Sequence, residues 1–292
     1  MTWKPLVKKL AHWTIPPGFQ DLLRPSLSRN DNIPDINPEE QAILNRNIEF
    51  LNRHRGQRCF VLATGPSMRE QDLRPLQNEW CLAVSEFYRH EHYRLIKPAY
   101  YAFAPTPVPL TEQLVAKRLK RLEDVKRVSQ DEIFFFALHD KKWVETSHLV
   151  ENWDRVHYLR FWHNLGDLPA QIDLTACLPF AFGSAVLATW IAIYMGFSEI
   201  YLVGCDHDGI WKWDGLTPFT AENYPQHFYG GPPASGYEGP PDVDVMLRAI
   251  LRVKEVYRGC DRLALERGIK IYNANPRNYL GVFPRVSLAE LF

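Results

Sequence analysis

The sequence has no apolar run long enough to cross a membrane, no surplus of either charge sign and no closely spaced cysteines. A spanning helix needs about 20 consecutive apolar residues, so a helical membrane protein is set aside. Lysine plus arginine and aspartate plus glutamate both number 34. The chain therefore lacks the global positive field on which nucleic-acid binding depends, and no nucleic-acid partner is expected. Cys59, Cys81, Cys177, Cys205 and Cys260 lie far apart with no CxxC pair, which argues against a zinc ribbon or a disulfide framework and points to a reducing compartment. The first residues show neither the apolar core nor the small-residue cleavage site of a secretion signal, so a cytoplasmic location is expected. Neither GxGxxG nor GxxxxGK[ST] occurs, so no standard nucleotide fingerprint is available.

What is present is enough apolar material for one large domain: 292 residues, 46% of them hydrophobic. Residues 1–24 place Trp3, Leu6, Val7, Leu10 and Trp13 at helical spacing, with Lys4, Lys8 and Lys9 mostly on other faces. Such an amphipathic arm fits either a membrane headgroup layer or the domain's own surface. Residues 25–40, rich in Asn, Asp and Pro, read as a linker. The expected division is an arm and linker over 1–38 and a catalytic domain over 39–292.

From residue 39 the pattern alternates. A helix is expected over 39–53, strands over 58–63, 80–84, 99–103, 133–137, 156–160, 199–203 and 269–273, and helices near 69–77, 111–124, 183–195 and 243–267. That order predicts an α/β, Rossmann-like, mostly parallel sheet with helices on both faces. On such sheets ligands sit beyond the carboxyl ends of the strands.

Three stretches stand at those ends. In "CFVLATGPSM" an apolar run stops at Gly65, Pro66 and Ser67, where a glycine, a helix-starting proline and a hydroxyl adjoin unpaired amides suited to phosphate. A plain serine-capped βα turn explains the same residues. In "FGSAVLATWIAIYMGFSEIYLVGCDHDG" small residues from Gly183 and Ser184 open an apolar helix, and a strand then ends at Gly204 and Asp206. Residues 206–244, dense in Gly, Pro and aromatics, read as a long lid. Asp242 and Asp244 read as helix-capping acids, so no metal site is expected there.

Together "VLATGPSMREQDL", the second stretch and "IYNANPRNYLGVFPRVSLAELF" resemble the bacterial hydroxymethylpterin-pyrophosphokinase-like family and the related bacterial sialyltransferases, glycosyltransferase family forty-two. The resemblance covers roughly residues 57–292. It implies a GT-A-like Rossmann variant that needs no metal or other cofactor. It also implies a nucleotide cradled by Gly65, Pro66 and Ser67, with Ser85, Glu86, Ser184, Asp206 and Asp208 around it. A histidine serves as base in such enzymes; His227, in "YPQHFYGGP", is the first candidate and His207 the competitor. Ala181 stands where those sialyltransferases carry an arginine.

The implied activity is glycosyl transfer from a nucleotide sugar, most plausibly a CMP-nonulosonate, to a glycan or lipid-linked acceptor in surface glycan synthesis. A Mg-dependent diphosphokinase acting on a pterin-like alcohol and a non-catalytic nucleotide-binding module are the alternatives.

Overall fold

The computed structural model describes residues 35–106, 111–129, 131–149, 153–162, 171–181, 183–207, 227–229, 243–276, 279 and 281–292. Residues 1–34, with nearly all of the expected arm and linker, lie outside that set. So do 208–226 and 230–242, with most of the expected lid, and Asp208 among them.

The described chain runs α1 (Pro38–Asn45), β1 (Arg58–Leu62), β2 (Trp80–Val84), α2 (Tyr93–Ile96), β3 (Tyr100–Ala102), α3 (Glu112–Lys126), β4 (Ile133–Ala137) and α4 (Lys141–Thr146). It continues with β5 (Val156–Trp162), β6 (Cys177–Pro179), α5 (Ser184–Tyr194), β7 (Glu199–Val203), α6 (Val243–Leu265) and β8 (Lys270–Asn273). The eight strands form one sheet in the order β6-β5-β4-β3-β2-β1-β7-β8, and every pairing is parallel. The direction of winding reverses between β1 and β7, so the crevice characteristic of doubly wound sheets opens beyond Leu62 and Val203.

Alternation along the strands assigns the two faces. Cys59 and Val61 of β1, with Leu82 and Val84 of β2, join Trp190 of α5 and Tyr257 and Cys260 of α6 in one core. Phe60 and Leu62, with Cys81 and Ala83, join Leu122 and Val125 of α3, Tyr93 of α2 and Val144 of α4 in the other. Buried on both sides, the strands can be continuous apolar runs, which is why they stand out in the sequence.

Besides the short helices α2 and α4, which were not expected, three elements depart from expectation. The helix expected over 69–77 is two 3-10 segments, Pro66–Glu70 and Arg74–Asn78. Pro75 brings no amide hydrogen and Asp72 accepts the Arg74 amide at 3.0 Å, so the chain turns instead of coiling on. The helix expected over 39–53 is capped by Asn37, which accepts the Glu40 amide at 2.9 Å, but it tightens to a 3-10 turn over Arg46–Phe50. Strand β6 is unforeseen because it has only three residues and ends on a proline, tolerable only at a sheet edge.

Candidate functional site

The site begins where β1 and β7 stop. The Gly65 amide donates to the Gly204 carbonyl at 2.8 Å, tying the two strand ends together. Gly65 has an ordinary φ of −64°. It is glycine because a Cβ would fall within 2.5 Å of the Gly204 oxygen and against the Asp206 carboxylate. Gly204 itself has φ +71°, with the Met68 side chain where its Cβ would stand. Ser67 donates its amide to Asp206 Oδ2 at 2.7 Å and its hydroxyl to Asp206 Oδ1. Both donors of Ser67 thus meet a carboxylate of the protein itself.

The end of β2 is held in a strained turn. Ser85 has φ +54°, sparsely populated by non-glycine residues. The Tyr101 hydroxyl fixes it by donating to the Ser85 carbonyl at 3.0 Å while accepting the Tyr88 amide at 3.1 Å. The Ser85 hydroxyl then reaches Ser184 Oγ at 2.9 Å. Ser184 opens α5 behind Gly183, whose φ of +118° and ψ of 156° belong to a region that side chains avoid. The first-turn amides of α5 lack intrahelical acceptors, as at any helix start.

Glu86 follows Ser85 and carries two arginines, Arg121 of α3 at 2.8 Å and Arg89 at 3.1 Å. Burial works against its ionisation, but Arg121 and Arg89 outweigh it and hold the carboxyl below its usual range. Arg89 also lies over the Tyr229 ring at 4.4 Å.

Residues 227–229, the described part of the expected lid, are clamped onto these strand ends. The Phe228 amide donates to the Thr64 carbonyl at 3.0 Å, and Arg69 Nε donates to the Phe228 carbonyl. The Phe228 ring sits edge-on to His90 at 5.1 Å. His227 turns Nδ1 toward Thr64, 3.0 Å from the hydroxyl and 3.3 Å from the carbonyl oxygen.

A carbonyl can only accept, so that contact favours the tautomer with hydrogen on Nδ1 and a lone pair on Nε2. Among the described residues nothing bonds Nε2. Burial lowers the His227 pKa, against the Thr64 carbonyl bond and Glu86, while Arg121 and Lys117 lower it further. The ring is therefore neutral near pH 7.

His207 is placed differently. At φ +49° it sends Nε2 to the Tyr257 hydroxyl at 3.2 Å, toward the core beneath α6. Gly65, Pro66, Ser67 and Asp206 thus gather at the winding reversal, Ser85, Glu86 and Ser184 beside it, and His227 over β1.

Thr64, Arg69, Arg89, Arg121 and Tyr229 were not singled out from sequence. One signal was available: Arg118 stands in the apolar stripe of α3 with Leu122 and Val125, and Arg121 follows one turn later on the same side. Arg118 is buried in an ion pair with Asp140 at 2.9 Å, over the Phe103 and Phe136 rings.

No family model matches this chain, and no curated protein sequence matches it significantly. Among the described residues no helix is long and apolar enough to cross a membrane.

Proposed function

We propose that this chain is a glycosyltransferase of a GT-A-like Rossmann variant, using a nucleotide-activated sugar whose nucleotide lies over the ends of β1, β2 and β7. The observation that carries the reading is His227: an imidazole anchored through Nδ1, with Nε2 unbonded among the described residues, at the ligand edge of the sheet. The likeness of three sequence blocks to the sialyltransferase and pterin-kinase-like families supports it and favours a CMP-nonulosonate donor. The acceptor is a glycan or lipid-linked sugar of a surface polymer; residues 1–24, expected either to touch a membrane or to dock on the domain's own surface, lie outside the described residues. Residues 206–244 are read as a lid, and most of them lie outside the described residues.

In the transfer step Nε2 of His227 takes the proton from an acceptor hydroxyl as that oxygen bonds the anomeric carbon. The bond from that carbon to the phosphate oxygen breaks, and the nucleotide leaves with the electron pair. Hydrogen-bond donors at the strand ends stabilise its charge, and no metal is required.

The test is a donor screen by mass spectrometry, with and without Mg. Transfer from a CMP sugar without metal is expected, and His227→Ala should lower kcat about a hundredfold with donor affinity little changed. If His227→Ala stays near wild type while His207→Ala is dead, the base is His207. Mg-dependent turnover of ATP would identify the diphosphokinase, and binding without turnover of any donor a non-catalytic module.

A further inference from the structure

We propose that Arg121 and Arg89 form an oxyanion subsite that receives the phosphate of the nucleotide, with Glu86 occupying it until the phosphate arrives. The inference rests on the nucleotide reading above and deepens it.

The geometry is that of an occupied anion site. Glu86 divides its two oxygens between two guanidiniums, Oε1 to Arg121 Nη2 at 2.8 Å and Oε2 to Arg89 Nη1 at 3.1 Å. Neither arginine is thereby saturated. Among the described residues Arg121 Nε is enclosed without an acceptor, and a buried charged donor left unmade is costly. An acceptor with more oxygens than one carboxylate would satisfy it, and a phosphate offers three or four.

The charge balance agrees. Although the whole chain carries 34 cations against 34 anions, among the described residues Arg89 and Arg121 share the single carboxylate of Glu86, and Arg118 beside them is paired with the buried Asp140. Asp124, on the same helix, is engaged by Lys120 and Arg127. Two guanidiniums thus share one carboxylate, which leaves one positive charge over at this pair. The position agrees as well, since Glu86 directly follows Ser85, which is bonded to Ser184 at the start of α5.

Glu86 as a place-holder makes a prediction that a purely structural ion pair does not: removing its charge should improve anion binding. Calorimetry of the full chain with inorganic pyrophosphate, CMP and cytidine tests this. Wild type should bind pyrophosphate, and CMP at least about tenfold more tightly than cytidine. Arg121→Gln should lose at least about tenfold for pyrophosphate and CMP, the loss of one charge-assisted hydrogen bond, and leave cytidine unchanged. Glu86→Gln should tighten pyrophosphate several-fold. The double variant Glu86→Gln with Arg121→Gln, which leaves no unpaired carboxylate, should stay folded by circular dichroism and still not bind pyrophosphate.

An Arg121→Gln protein with wild-type pyrophosphate affinity overturns the proposal. So does a Glu86→Gln protein that binds pyrophosphate more weakly, or a wild type that binds neither pyrophosphate nor CMP. Arg121-dependent pyrophosphate binding with no affinity for CMP would keep the subsite and remove the nucleotide reading. CMP-sugar turnover indifferent to Arg121 would do the reverse.

Discussion

Ser67 gives both of its hydrogens, from the backbone amide and from the hydroxyl, to the single carboxylate of Asp206. The two residues lie 139 positions apart, and their contact ties the turn after β1 to the end of β7. Both are buried, so each bond contributes in full. Asp206→Asn keeps the shape but replaces a charged acceptor with an amide that presents hydrogen to donors. Loss of about 1–3 kcal/mol of stability is expected, the usual cost of leaving such groups mismatched, with the urea midpoint lowered and the m-value unchanged.

Gly65 is a sharper test of the same corner. The sequence singles it out as a place where a ligand comes close, and by that logic Gly65→Val should abolish binding while sparing the fold. The structure puts protein there: the Gly204 oxygen is 2.5 Å from where a Cβ would be, with the Asp206 carboxylate beside it. Gly65→Ala should therefore already cost about 1–3 kcal/mol, the range for forcing a methyl into packed surroundings, and Gly65→Val should cost more. Thermal melts without ligand decide it, since a position reserved for a ligand would leave the free protein's melting temperature alone.

This corner also shows what the sequence could convey. Strands such as Phe60–Leu62 and Phe134–Phe136 were legible because two covered faces require unbroken apolar runs. Gly65 was legible as a close approach, but not what approaches, because Asp206 lies far along the chain. Thr64 escaped notice for the same reason: its partner His227 is 163 residues away. Arg121 meets Glu86 only after two crossovers bring β2 and α3 together. Pro75 was visible and should have broken the helix expected over 69–77.

Stability should fall steeply in mild acid because of His157. Its ring is buried between Phe50 at 4.6 Å and Phe135 at 5.7 Å, Nε2 meets the Asp154 carbonyl at 3.1 Å, and among the described residues Nδ1 is enclosed without a partner. Burial, with Arg46 and Arg53, lowers its pKa from 6.5 to about 4, against the Asp154 carbonyl bond. The unfolded chain therefore takes up a proton at higher pH than the folded one. The contribution is complete above pH 6.5 and is lost as pH falls toward about 4, at about 1.4 kcal/mol per pH unit across that window. Denaturant melts at stepped pH should show the slope, and His157→Gln should flatten it. An unchanged slope in that variant would assign the acid sensitivity to other groups.

Thr64 gives the most specific prediction about the chemistry, because among the described residues its hydroxyl meets His227. Its hydroxyl lies 3.0 Å from Nδ1 beside its own carbonyl at 3.3 Å, so both oxygens are placed to accept one hydrogen. Two acceptors at Nδ1 stabilise the imidazolium and fix the ring's direction. Thr64→Val preserves the shape of a buried, β-branched side chain and removes one of them. Two effects should follow together if His227 is the base. The His227 pKa drops further, so the acid limb of the kcat profile moves to lower pH. The ring is less firmly aimed, so the plateau kcat falls about tenfold with KM for the donor nearly unchanged. Thr64→Ser, which restores the oxygen without the methyl, should recover both. A purely structural role for Thr64 would lower the melting temperature in proportion to lost packing, and leave the acid limb where it was.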